Sequence, residues 1–241
     1  MGTSADRSAG KGGDWTPLKH AANSYVRGLG KGGSAGRAHR VLARHVPLLG
    51  GASRAATTAR AGSGGGARLG ALIAGIGSGD LGTAFSSLGL SRLVGQDRFV
   101  VLDELVTFIA GYGDDLDAQA ARDAACDVLD ELFGDADAWD ELASVQVDQE
   151  QLVTILERFL ALYVYNRVPV VAERLSRLTD PAAMRKADQE MRQIIADLVA
   201  IQLPDDPFGV DWEGAEGHAI ATDAIESVYE TMAALEVPGG Q

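Results

Sequence analysis

The sequence predicts an all-α protein, in which a flexible, glycine-rich basic N-terminal arm precedes a helical bundle-like acidic body. Three observations support this fold class. Apolar residues recur at helical spacing along most of the chain after residue 97, no run alternates convincingly with period two, and capping residues stand where helices should begin. Hydrophobic residues make up 46% of the 241 positions, which is enough for a buried core.

Charge is distributed unevenly along the chain. Residues 1–70 hold eleven Lys/Arg and two acidic residues, a net charge of +9, so the remainder carries −22 of the overall −13. Such asymmetry indicates a basic arm that meets an acidic surface or nucleic acid, although the acidic body would repel nucleic acid. We predict three segments: a flexible tail over 1–14, a basic Gly/Ala/Arg-rich arm with short helices over 15–68, and an acidic α-helical domain over 69–241.

The elements of the tail and arm follow from glycine content and capping residues. Residues 1–14 lack an apolar face and contain four glycines, so we expect them to be flexible. Thr16 and Pro17 suit a helix start and predict a short helix over 18–26. Ser34 is the predicted cap of a basic amphipathic helix. Residues 50–68 are predicted to be weakly structured, and the glycine-interrupted residues 69–93 to form short helices and turns.

The acidic domain has a stronger helical signal. A helix from residue 97 is apolar on most of its circumference, Phe99 included, and is therefore predicted to be central. Asp114 or Asp115 caps the next helix, with Leu116 on its apolar face. The remaining predictions are a short acidic helix over 135–142, a long helix capped by Asp148 and kinked or ended by Pro169, a helix reaching 178, one restarting at Asp180–Pro181, and a last helix over about 216–235.

No pattern typical of a catalytic or metal site is found. The Gly-Lys-Gly-Gly runs at 10–13 and 30–33 lack the following Ser or Thr and the preceding strand of a phosphate-binding loop. His20, His39 and His45 are interpreted as isolated surface residues without zinc spacing, and Cys126 lies within a helical stretch. We therefore predict a non-enzymatic protein with no cofactor and no metal. The single cysteine and the absence of an apolar leader predict a cytoplasmic protein.

Several motifs near the N-terminus are more specific. They are Met-Gly-Thr-Ser at 1–4, Tyr-Val-Arg-Gly-Leu-Gly at 25–30, Gly-Gly-Ser at 32–34 and the Ala-plus-Arg run at 38–40. In these motifs the chain resembles the QatB family. Members of this family are components of the bacterial four-gene Qat anti-phage defence system. The acidic helical body also resembles the C-terminal region of that family. The arm is shorter and poorer in proline than is typical of the family.

The resemblance implies partners and a modification site. The implied partners are a QueC-like enzyme (QatC), an ATPase and a TatD-like nuclease. QueC-like enzymes activate a 7-deazaguanine carboxylate with ATP and transfer it to an amine. The resemblance implies that this amine is that of Gly2 after removal of Met1. We expect Thr3 and Ser4 to help fix the tail in the enzyme, and the arginines of the arm to steer docking, namely Arg27, Arg37 and Arg40.

Two alternatives from other functional classes remain open. The basic residues 27–68 are compatible with a nucleic-acid-binding adaptor, whose affinity would fall steeply with salt. The glycine-rich apolar residues 66–90 are compatible with a membrane-active effector, although tight helix packing explains the same glycine spacing. A DNA-binding salt titration and a liposome-leakage assay test these two alternatives.

Overall fold

The computed structural model describes residues 15–29 and 33–235, so the predicted flexibility of residues 1–14 lies outside the described residues. Every regular element in the described part is helical and no strand occurs there, which confirms the predicted all-α class. Short 3₁₀ turns lie at Val46–Leu49, Ser91–Leu93 and Pro207–Gly209. The α-helices are α1 Trp15–Arg27, α2 Ser34–His45, α3 Ala52–Thr57, α4 Arg60–Ser78, α5 Leu81–Ser87, α6 Arg98–Ala110, α7 Leu116–Phe133, α8 Trp139–Ala143, α9 Gln149–Asn166, α10 Pro169–Leu175, α11 Pro181–Ala196 and α12 Ala215–Ala234.

Aspartate caps begin three of the helices that the sequence predicts. Asp115 accepts a hydrogen bond from the Ala118 N–H at 2.8 Å at the start of α7. Asp148 begins α9 with a complete capping box, and Asp180 precedes the proline that opens α11. Each carboxylate satisfies an N–H group that has no acceptor within its own helix and places negative charge at the positive end of the helix.

The described chain divides into two compact units. Of the described residues, the first unit holds 15–29, 33–58, 168–198 and 226–235, and the second holds Ala59–Arg167 and Val199–Ile225. The second unit holds seven arginines and 24 acidic residues. Helix α4 runs across the predicted boundary between residues 68 and 69, so the arm and the acidic domain share this element.

In the first unit, α1 packs against α2 and α10, and α11 packs against α2 and α10. Leu18 and Tyr25 of α1 and Met191 of α11 are completely or almost completely buried. The Tyr25 hydroxyl donates to the Ala187 carbonyl oxygen at 2.8 Å. This bond joins α1 to α11 across a sequence separation that no local pattern reveals.

In the second unit, α4 packs against α5, α6, α7 and α9. Its glycines allow this packing: a Cβ at Gly62 would overlap the Tyr163 ring, and one at Gly70 would overlap the Trp212 indole. Tertiary contacts therefore compensate for the low helix propensity of glycine. The prediction that residues 50–68 are weakly structured was wrong, because these glycines admit aromatic rings against the backbone.

The same packing bears on the membrane alternative. No helix among the described residues is both long and apolar enough to span a bilayer. Leu69, Leu72 and Ile73, which contributed to the apolar character of the segment 66–90, are fully buried in α4. Tight helix packing thus accounts for the glycine spacing there.

Helix α6 is not central, although its composition predicted that it would be. Its inner face, with Val101, Leu105 and Ile109, is fully buried, and α6 packs against α4 and α7. Phe99, in contrast, is 74% exposed, and Leu116 at the start of α7 is 78% exposed. The helix is apolar on two faces, and the described residues cover only one of them.

Candidate interaction surfaces

The predicted modification and tail-fixing residues, Gly2, Thr3 and Ser4, lie outside the described residues. Their roles stay predictions. The described chain begins at Trp15, the first residue of α1. The three arginines predicted to steer docking are all described, and they belong to the first unit.

These arginines differ in their surroundings. Arg27 is the last residue of α1 and is exposed, and Arg40 is exposed on α2. Arg37 is half-buried and donates from Nη2 to the Gly28 carbonyl oxygen at 2.6 Å, next to the end of α1. A Cβ at Gly28 would overlap the Arg37 guanidinium. Arg37 therefore stabilises the α1–α2 connection, while Arg27 and Arg40 present their charge to solvent.

His45 was predicted to be a surface residue, and that prediction was wrong. Its side chain is only 5% exposed. The physical reason is helical spacing: Ala38, Val41, Leu42 and His45 stand at i, i+3, i+4 and i+7, so they share the inward face of α2. The sequence contained this signal, because the same apolar positions define the amphipathic face.

A polar cluster in the second unit was missed at the sequence level. Asp117 of α7 accepts hydrogen bonds from the Tyr163 hydroxyl at 2.5 Å and from the Ala61 N–H at 2.8 Å. Arg167 Nε lies 3.3 Å from the same carboxylate, and both of these side chains are largely buried. The residue before α4, Ala59, has no side chain able to cap it. Asp117 therefore supplies the missing acceptor to the N-terminus of α4 from another helix.

A second contact between residues distant in sequence caps the C-terminus of α6. Arg68 of α4 donates from Nε and Nη2 to the Ile109 carbonyl oxygen, at 3.0 and 2.6 Å, near the C-terminus of α6. Burial lowers the pKa of Arg68 from its ordinary value. A cation at a helix C-terminus interacts favourably with its dipole, so this arginine fixes α6 against α4.

Reactive groups are sparse in the described chain. Within residues 15–29 and 33–235, no group of His, Cys, Asp and Glu is placed to hold a metal ion. Cys126 is exposed, and its pKa is raised by partial burial and by the nearby carboxylates of Asp123 and Asp127. A raised pKa keeps the thiol protonated and weakens it as a nucleophile. That the protein is not an enzyme stays a prediction.

Two of the grooves on the surface of the second unit involve its long helices α6, α7 and α9. One, of about 400 Å³, lies along α7 and α9 and is lined by Leu132 and Ile155 together with acidic side chains. The other, of about 250 Å³, lies beside α6 and is lined by Phe108 and Tyr112, with Glu104, Arg68 and Arg92 at its walls. Both grooves combine apolar side chains with charged ones, which is a composition suited to protein segments.

Comparison with known proteins identifies one family. The family model described as "Qat anti-phage system associated protein QatB" matches residues 50–232. The match includes the whole of the second unit and ends before the last residues of the chain. No curated protein and no solved structure matches the chain.

Proposed function

This chain belongs to the QatB family and is a component of an anti-phage defence system, and from that premise we propose that it presents Gly2 to a QueC-like enzyme (QatC) for conjugation. Family membership is the observation that carries the proposal. The Met-Gly-Thr-Ser start and the motifs at 25–40 add to it, because they resemble the family outside the matched region. The helical body serves as the part that partners bind.

The chemistry suits a terminal glycine. Removal of Met1 exposes an unhindered primary amine with a pKa of about 7.7–8.0, so a substantial fraction is neutral and nucleophilic near neutral pH. The amine nitrogen attacks the activated carboxyl carbon of the 7-deazaguanine, an amide bond forms, and the activating group and a proton leave. Thr3 and Ser4 offer hydroxyl groups that can bind the enzyme beside the reacting amine.

Chain length allows the amine to enter a partner enzyme. Twelve residues lie between Gly2 and Trp15 at the start of α1, so the chain makes thirteen steps from one to the other. At about 3.3–3.6 Å per extended residue, this segment can reach as far as about 45 Å. The amine can therefore enter an active site while the body stays outside it. The exposed guanidinium groups of Arg27 and Arg40 would then steer the encounter with an acidic or nucleotide-loaded partner.

The N-terminal peptide mass tests the proposal. The full chain is co-expressed with the QueC-like enzyme and, separately, with a catalytically inactive form of it. The expected result is a mass increase on the peptide that begins at Gly2, found only with the active enzyme. Gly2→Glu should abolish the increase and leave the helical circular dichroism spectrum unchanged. A free Gly2 amine in both samples would refute the proposal.

Charge reversal separates docking from chemistry. Arg27→Glu and Arg40→Glu should slow association with the QueC-like enzyme, and more so at low salt, where screening is weak. Arg37→Glu also removes the hydrogen bond to Gly28, so its melting temperature must be measured alongside. Equal association rates for all the variants at low salt would show that the arm does not steer docking.

The system's ATPase and its TatD-like nuclease are further proposed partners. Each can be tested for co-purification with the full chain, with and without the QueC-like enzyme. Binding that survives deletion of residues 1–14 would assign the interaction to the helical body. Binding that requires the modified Gly2 would assign it to the conjugated tail.

A further inference from the structure

We propose that the outer face of α6 is a docking surface for a cationic amphipathic segment of a partner protein. Within the described residues, large hydrophobic side chains are exposed at five positions, all within one 23-residue stretch of the second unit. They are Val94 at 45%, Phe99 at 74%, Val100 at 47%, Tyr112 at 91% and Leu116 at 78%. Scattered exposed apolar residues are ordinary, but such a concentration indicates an interaction surface.

Helix geometry places one of them, Val100, on a defined face of α6. Val100, Glu104, Thr107 and Phe108 stand at i, i+4, i+7 and i+8, so they lie along one side of α6. The last three of them line the groove of about 250 Å³ that Tyr112 also lines. From Val100 to the end of α6 at Ala110 the face extends about 15 Å, at about 1.5 Å per residue. A helical segment of about twelve residues would cover it.

Charge complementarity selects the occupant. Between Leu90 and Ala118 the chain has two arginines, and four of its acidic residues are exposed, namely Asp97, Asp103, Asp114 and Asp115. Asp117 does not contribute to this surface, because it is largely buried beside Arg167. One of these arginines, Arg92, lies 2.6 Å from Glu104, and the other, Arg98, lies 3.7 Å from Asp137. Asp103 and Asp114 are exposed on or beside the face.

This acidic surround favours Lys or Arg interleaved with apolar side chains, as on one face of an amphipathic helix. Nucleic acid and anionic lipid would be repelled by the same carboxylates. The surface lies within the matched residues 50–232, whereas Gly2 lies outside them.

The probe is a synthetic 18-residue amphipathic helix of leucine and lysine, and its control replaces each lysine by glutamate. Binding of the labelled peptides to the full chain is measured by fluorescence anisotropy. The test variant is Val100→Ser/Tyr112→Ser. The matched control is Ile155→Ser in the α7–α9 groove, which is also apolar and acidic. Melting temperatures establish that each variant is folded.

We expect the lysine peptide to bind and the glutamate peptide not to bind. The double variant should weaken binding about tenfold or more, because exposed aromatic residues dominate interface energetics. Ile155→Ser should leave binding within about twofold of wild type, and Asp103→Lys should weaken it most at low salt. The defect of the double variant must persist when residues 1–14 are deleted, since the surface belongs to the second unit.

Three results would overturn the proposal. These are equal binding to wild type and to the double variant, loss of binding only in Ile155→Ser, and no binding of the lysine peptide. A fourth would reassign the surface: concentration-dependent dimers of wild type, absent in the double variant, would show that a second copy covers it. None of these measurements involves the Gly2 amine, so the conjugation proposal stands or falls separately.

Discussion

Replacing Asp117 by alanine should destabilise the second unit strongly, because this carboxylate connects three elements. It accepts from the Ala61 N–H at the start of α4 and from the Tyr163 hydroxyl of α9, and it pairs with Arg167 at 3.3 Å. Removing one partner of a buried ion pair typically costs about 3–5 kcal/mol, since the opposite charge stays buried. Single-domain proteins have about 5–15 kcal/mol of stability, so the loss is a large fraction.

The assay is thermal unfolding followed by circular dichroism at 222 nm. For a chain of this size, 1 kcal/mol corresponds to about 2–4 °C, so the expected fall in melting temperature is about 6–20 °C. Tyr163→Phe removes the hydrogen bond to the Asp117 carboxylate and should cost about 1.5–3 kcal/mol. The matched control is Asp123→Ala on the same helix, because Asp123 is exposed and accepts only from Gln119 among the hydrogen bonds described.

Asp123→Ala should change stability by less than about 0.5 kcal/mol. The reasoning would be refuted if the melting temperature of Asp117→Ala lay within about 2 °C of that of the wild type. A shift of that size corresponds to roughly 0.5–1 kcal/mol. The reasoning would also be refuted if Asp117→Ala and Asp123→Ala had the same effect. Either result would mean that the N-terminus of α4 finds another acceptor at little cost.

Three further predictions concern single side chains. Gly70→Ala should destabilise the protein by about 1–3 kcal/mol, because its Cβ would overlap Trp212. Gly36→Ala in α2 has open space around it and should stabilise the protein by about 0.5–1 kcal/mol. Thermal melts of the two variants test this difference. Leu105→Asp should unfold the second unit, because the Leu105 side chain is fully buried, whereas Phe99→Asp should leave it folded, because Phe99 is exposed. Circular dichroism tests both variants, and an unfolded Phe99→Asp would contradict the assigned helix face. The raised pKa of Cys126 predicts that alkylation by iodoacetamide accelerates at higher pH than in an unstructured cysteine peptide, and coincident pH profiles would contradict it.

The sequence by itself determined the elements that depend on local chemistry. Asp148 and Asp180 marked helix starts correctly, because a capping carboxylate bonds to N–H groups only two or three residues away. Pro169 marked a boundary, since proline cannot donate within a helix, and it opens α10. The all-α class followed from periodicity that no strand pattern contradicted. The family resemblance rested on short motifs, which need no folded structure to be read.

Only the tertiary structure decided what depends on residues distant along the chain. From the sequence, the glycines of α4 were predicted to interrupt helical structure. In the fold, Tyr163 and Trp212 pack against the backbone at these glycines, and such a close approach depends on two segments rather than on one. No local pattern singled out Asp117, although its carboxylate caps a helix 56 residues earlier. Composition showed that α6 is apolar on most of its circumference, but not which face its neighbours would cover. The exposed face beginning at Val100 exists because, among the described residues, the second unit supplies packing partners on one side of that helix only.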